Sequence, residues 1–199
     1  MPFSALPWEL LGQPGGCSGT LPSLRRSFGT AWSTVSRYFI PTQRLALAID
    51  CPNPGGDGCP RQIIEHGFDD LVAVCGNSAS ECEPIAVPRA DLIIYTLKTK
   101  ALLADVNALL QIQGAGPEMT GDQTWELGMY ATPGRTETPV VLCLATEAGD
   151  VYRALVPLLQ RTGQVLMLLP SRQLCPPSLL RLTPERQCVK FAFLDELPL

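Results

Sequence analysis

One histidine, His66, in 199 residues is the first constraint. It disfavours any metal or nucleophilic site that needs two imidazoles. No GxGxxG turn follows a strand, and GQPGGCSG lacks the Lys-Ser/Thr ending of a phosphate loop. No serine stands in a glycine-flanked elbow. No run reaches the roughly 18 uninterrupted apolar residues of a membrane helix, so no membrane partner is expected. Charged residues make up 17% of the chain, and no acid occurs between Glu9 and Asp50. The net charge of −4 argues against a protein that coats nucleic acid, although a local basic face is compatible with it. The opening residues, MPFSALPWELLGQPGG, do not read as a secretory signal, because no charged segment precedes an apolar core.

What the chain does have is apolar residues, 46% of the total, and eight cysteines. The first permits a packed core and argues against wholesale disorder. The cysteines fall into two sets. Cys51, Cys59, Cys75 and Cys82 cluster, whereas Cys17, Cys143, Cys175 and Cys188 are scattered. A clustered set beside a scattered one reads as a metal site plus buried free thiols in a reducing compartment, so a cytoplasmic location is expected.

Apolar spacing organises the rest. Residues 1–20 are rich in Pro and Gly and read as irregular. Leu21, Leu24, Phe28, Trp32, Val35 and Phe39 recur at helical spacing, with Arg25, Arg26 and Arg37 among them. The spacing predicts an amphipathic helix docked by its aromatic face. Its acid-poor composition also suits an organellar transit peptide, but the length and cleavage signal of one are lacking. Residues 44–97 read as short strands: RLALAID, RQIIEH, LVAVCG and DLIIYTL, separated by turn-rich segments. KTKALLADVNALLQI has helical spacing. QGAGPEMTGDQ, residues 113–123, is unpatterned and is the expected boundary. Beyond it, TWELGMY and PVVLCLA form a strand pair. A helix comes next, near Asp150–Thr162, containing Pro157 and stopped by Gly163, and then QVLMLLP, a short helix near Pro177–Arg186 and CVKFAFL. Near-continuous apolar strands alternating with helices imply a parallel sheet covered on both faces.

The cysteine pairs carry the strongest chemical signal. Cys51 and Cys59 close a Pro/Gly/Asp turn, and Cys75 and Cys82 close an Asn/Ser turn. Folding the intervening hairpin, RQIIEHGFDDLVAV, brings both turns to one end and presents four sulfurs to one ion. Four thiolates suit zinc, and a shell with no open position is structural. His66 ends a strand and is the alternative ligand. Disulfides, unligated thiols or an iron–sulfur cluster use the same residues.

Over residues 44–95 this segment resembles a zinc ribbon. Seven and six residues separate its paired cysteines, where a ribbon knuckle has about two to four. The resemblance implies a three-stranded module stabilised by structural zinc on Cys51, Cys59, Cys75 and Cys82, serving as a contact surface for protein or nucleic acid rather than for catalysis. The expected fold class is α+β: a zinc-ribbon-like antiparallel module followed by a small α/β domain with a mainly parallel sheet. The expected divisions are an N-terminal segment (1–43), the zinc module (44–97), a linking helix and loop (98–123) and the α/β domain (124–199).

In open parallel sheets, ligands bind beyond the carboxyl ends of the strands. Thr146, Glu147, Asp150, Ser171, Arg172, Asp195 and Glu196 would stand there. Glu147 after one apolar strand, with acids after another, resembles a magnesium-dependent nucleic-acid-cleaving domain of the Toprim type, without its paired acids after QVLMLLP. The simpler reading is that Glu147 and Asp150 start a helix and that Ser171 and Arg172 start a turn. The leading expectation is a non-enzymatic regulatory protein that packs onto a protein partner. The alternatives are a DNA- or RNA-associated regulator, using Arg25, Arg26, Arg37, Arg44, Arg61 and Arg89, and a metal-dependent nucleic-acid-cleaving enzyme. Against the former stand Asp57, Glu65, Asp69, Asp70, Glu81, Glu83 and Asp91 in the zinc module.

Overall fold

A computed structural model describes residue 8 and residues 18–51, 59–76, 82–121, 123–131, 137–145, 147–182 and 188–197. Helices and sheets are mixed in an α+β chain. It divides into two compact units. One takes residues 18–29 and 39–97. The other takes residues 30–38, the chain from 98 onward and the N-terminal residues, of which Trp8 is described.

The first unit begins with strand β1 (Ser18–Thr20) and helix α1 (Leu21–Phe28). Thr20 caps the helix by accepting from the Ser23 amide at 3.4 Å, and Leu24 and Phe28 face inward. The single helix expected over 21–39 is not formed. Gly29 adopts φ +51°, a left-handed value that favours glycine, and ends α1. The chain continues as 3₁₀ turns and one helical turn, then enters strand β2 (Phe39–Leu45). The apolar period read as one stripe is therefore shared between two units. Leu24, Phe28 and Phe39 are buried in one, and Val35 in the other. Within the first unit, the rings of Phe28 and Phe39 meet edge to face at 5.5 Å.

Strands β3 (Ala48–Asp50), β4 (Pro60–Gly67), β5 (Asp70–Cys75) and β6 (Ile85–Ala86) form an antiparallel sheet in chain order. It has four strands, where the ribbon resemblance implies three. Strand β7 (Ile93–Leu97) lies between β1 and β2 in a second antiparallel sheet. RLALAID, expected as one strand, serves both sheets. It breaks at Ala46 and Leu47, whose backbones bond to Leu92 and Ile63. In the hairpin, Ile63 faces Ala73 and Ile64 faces Val72. Alternation puts Arg61, Leu71 and Ala73 inside and Gln62 and Ile64 outside.

The second unit opens on residues 30–38. Tyr38 is buried and donates to Asp105 at 2.6 Å. Burial, reinforced by Asp105, pushes its phenol up to about 12. Asp105 lies on helix α2 (Thr99–Leu110), which buries Leu102, Leu103 and Val106. The boundary expected at 113–123 is instead a sheet edge. Gln113 exchanges two backbone bonds with Met129, and strand β8 (Glu118–Gly121) pairs with β9 (Thr124–Tyr130). Polar, glycine-containing strands at an edge carry no apolar period, so nothing in the pattern marked them. Helix α2 thus belongs to the same unit as β8 and β9 and does not link two domains.

Strand β10 (Thr138–Cys143), helix α3 (Ala148–Leu159), strand β11 (Val165–Leu169), helix α4 (Pro177–Leu182) and strand β12 (Val189–Phe193) complete the unit. The sheet order is β12-β11-β10-β9-β8. Strands β10, β11 and β12 are parallel, whereas β9 and β8 join antiparallel. The sheet is mixed rather than mainly parallel, because short loops return the chain before and after β9. Val141, Cys143, Val165, Met167, Leu169 and Phe193 pack with Val151, Leu155 and Leu158 of α3. Val140, Leu142, Leu144 and Leu168, which alternate with them, are buried as well. Both faces of the central strands are thus covered, as their continuous apolar character requires. Cys143 and Cys175 are buried free thiols, and Cys188 is a partly buried one. Cys17 lies outside the described residues.

Gly128 sits at the β9–β10 bulge with φ +129°, and a Cβ there would stand 2.3 Å from the Gln113 carbonyl oxygen. Gly128→Ala should therefore cost about 3 kcal/mol or more in urea denaturation, from backbone strain plus a clash with backbone. A second expectation concerns pH. Burial pushes the Cys143 thiol from its ordinary 9.0 to about 11. A thiol held neutral in the fold contributes stability that is present below the unfolded pKa and lost as pH rises towards the folded one. Unfolding free energy should fall between about pH 9 and 11, and Cys143→Ala should flatten that decline. An unchanged slope in the variant would reject the assignment.

Candidate metal centre

Four alternating antiparallel strands send every second strand end to the same edge of the sheet. Cys51 directly follows β3, Cys59 directly precedes β4, Cys75 ends β5, and Cys82 stands three residues before β6. All four therefore lie at one end of the sheet. The register agrees: Asp50 faces Pro60, and Arg61 faces Cys75. The hairpin thus brings the residues that flank both turns to one end of the sheet. The two turns themselves, residues 52–58 and 77–81, lie outside the described residues.

The sulfurs of Cys59 and Cys75 are 3.6 Å apart. A disulfide would bring them to about 2.05 Å. Two corners of a tetrahedron with zinc–sulfur bonds of about 2.3 Å stand about 3.8 Å apart, so the pair fits one edge of a zinc shell. Cys51, Cys59, Cys75 and Cys82 are all partly buried, and none of them is in a disulfide. The Cys75 thiol, desolvation and the Cys51 thiol together push Cys59 up to about 11. Crowded sulfurs resist ionising one beside another until a cation shares their charge. Among the described residues, no three or more His, Cys, Asp or Glu side chains stand together in a metal-holding arrangement. The fit to zinc accordingly rests on the Cys59–Cys75 edge and on the chemistry of the four thiols.

Beside the sulfurs lies Arg61, one of the arginines that a nucleic-acid contact would have used. It is 1% exposed. Its Nε donates to Cys51 Sγ at 3.4 Å, and its Nη1 to the Glu83 carbonyl at 2.7 Å and the Ala73 carbonyl at 3.5 Å. The Cys51 sulfur, and then Cys82 and Cys75, favour its charged form against desolvation. A signal for it existed. Residues 59 and 61 point to the same side of a strand, so a charge at 61 must share the sulfurs' side of the sheet.

His66 is not placed as a substitute ligand. It is exposed at the other end of β4, seven residues from Cys59, a run of about 20 Å in an extended strand.

Three of the strand-end acids of the second unit, Glu147, Asp150 and Glu196, are engaged elsewhere, whereas Asp195 Oδ1 is buried with no hydrogen-bond partner among the described residues. Glu147 and Asp150 form a capping box at the start of α3, with Asp150 Oδ2 accepting from the Glu147 amide at 3.1 Å. Arg153 pairs with both. Ser171 caps the 3₁₀ turn at 172–174. Arg172 holds Glu196 through two bonds of 2.5 and 2.7 Å and keeps its carboxyl below the usual range. Asp195 lies in the same turn, its amide bonded to Pro170. Thr146 lies outside the described residues. No helix among the described residues is long and apolar enough to cross a membrane.

No protein-family model matches this chain, and no curated protein and no solved structure matches it.

Proposed function

We propose that this chain is a zinc-stabilised interaction or regulatory protein of the cytoplasm, not an enzyme, in which Cys51, Cys59, Cys75 and Cys82 hold one structural zinc ion and the surrounding unit engages a protein partner. The observation that carries the reading is the convergence of cysteine-bearing strand ends, with the Cys59–Cys75 separation of 3.6 Å. Zinc bound by four thiolates has no open position, so what it supplies is folding energy.

A protein partner is favoured over nucleic acid by what four of the six candidate arginines already do; Arg25 and Arg44 are exposed. Arg61 is buried. Arg26 pairs with Asp50, Arg37 with Asp105 and Arg89 with Glu65. Each pair offers phosphate little net charge. The unit that carries the cysteines exposes apolar side chains instead: Leu47 at 86%, Phe68 at 73% and Ile64 at 43%. The reading as a magnesium-dependent nuclease is weakened by the capping and pairing of Glu147, Asp150 and Glu196.

Elemental analysis of the purified chain should return about one zinc per molecule, as a single closed site requires. Cys75→Ser should lose it. Hydrogen exchange with and without chelator should then show residues 39–97 losing more protection than residues 124–197. A metal-free chain with its full fold would reject the zinc reading. Nuclease assays with magnesium or manganese should show no turnover that depends on Glu147. Turnover abolished in Glu147→Gln would overturn the non-enzymatic reading.

A further inference from the structure

We propose that Arg61 is the positioning residue of the cysteine centre, a buried guanidinium that joins all four cysteine-bearing segments and offsets the charge of the thiolates. The proposal rests on the zinc reading above. Arg61 lies on β4 two residues after Cys59. It donates to the sulfur of Cys51 after β3, to the carbonyl of Ala73, two residues before Cys75 on β5, and to the carbonyl of Glu83, the neighbour of Cys82. Each remaining cysteine is thus reached directly or through a residue no more than two away.

Charge makes the same case. A guanidinium taken out of water needs an anionic partner or a full set of acceptors. Among the described residues no carboxylate forms an ion pair with Arg61, and the side chain that it donates to is the Cys51 sulfur. Four thiolates around one zinc ion carry a net charge of −2. The guanidinium, itself buried, would reduce that to −1. Lysine would supply a similar charge but not donors at two separate nitrogens aimed at different segments. Arg61 would therefore hold the strand ends in register before the metal arrives and neutralise them afterwards.

The test uses the full chain and its Arg61→Lys and Arg61→Met variants. Zinc affinity is read by competition with a chromophoric chelator, and the ligand set by the absorption of the cobalt-substituted protein. Loss of one outer-shell partner typically weakens metal binding about 10–100-fold. The Lys variant should lose about tenfold and the Met variant about a hundredfold, with cobalt still reporting four sulfurs in both. The order separates charge from packing, since Met fills the space without the charge. Affinities in both variants within twofold of the native chain, or a Met variant as tight as the Lys variant, would overturn the proposal. If the Met variant does not fold, a Lys variant binding zinc as tightly as the native chain still overturns it, and a tenfold loss supports it. A native chain that binds no zinc would instead remove the reading on which the proposal stands.

Discussion

A charged guanidinium stays inside a protein only where its N–H groups and its charge are both answered. Around Arg61 the answers come from a sulfur and two carbonyls on three different segments. That need restrains the end of the four-stranded sheet. The Glu83 carbonyl must approach to 2.7 Å, which brings the chain beside Cys82 against β4. The Ala73 bond repeats a neighbour relation that β4–β5 pairing already makes. The proximity of Cys59 and Cys75 is then a matter of register, because Arg61 and Cys75 face each other directly. The thiols do not meet because cysteines attract one another. Cys59 and Cys75 meet because strand pairing sets their backbones beside each other.

The same logic explains what could be read from the sequence and what could not. The β4–β5 hairpin was legible because both strands alternate and a turn separates them, and the start of α3 because acids at Glu147 and Asp150 precede an apolar helical period; the capping box that they form was not. The placement of Cys51, Cys59, Cys75 and Cys82 at one end of the sheet was legible for the same reason: turns mark strand ends, and alternate strand ends of a meander share an edge. What failed was whatever depended on long-range pairing without a local period. Strand β8 is wholly exposed, with Met119 its one large apolar side chain, so only its bonds to β9 make it a strand. Gly29 interrupts an apolar spacing that is otherwise unbroken, and its left-handed backbone outweighs that spacing. The role of Arg61 was hidden because a lone arginine is usually solvated. Only its parity with Cys59 distinguished it.

The acids of the second unit illustrate how position can imitate chemistry. Acids beyond the ends of parallel strands occupy the place where ligands bind in this architecture. The start of a helix stands there too, and a helix start favours acids for its own reasons. Glu147 and Asp150 meet that need, and Arg153 answers their charge. Glu196 is held by Arg172, whose guanidinium also lies over the Phe193 ring at 4.4 Å. These contacts account for the positions of Glu147, Asp150 and Glu196; Asp195, with its Oδ1 buried and without a hydrogen-bond partner among the described residues, is not accounted for in this way.

The distribution of core between the two units bears on why one would use a metal. The α/β unit has a cluster of fourteen buried residues drawn from three strands and two helices together with their flanking turns. In the other unit the buried apolar residues are Leu24, Phe28, Phe39, Leu71, Ala73, Leu92 and Leu97 among the described residues. Small sheets with few buried side chains struggle to offset the entropy of ordering their backbone. A crosslink at one end of the four-stranded sheet would act where the apolar contribution is smallest, and it would restrain the loops between the cysteine pairs. Placed in the α/β unit, the same crosslink would add little to a core already filled from both faces. The cysteines stand in the unit that stands to gain from joining them, and the thiols of the other unit, Cys143 and Cys175, are used as apolar filling.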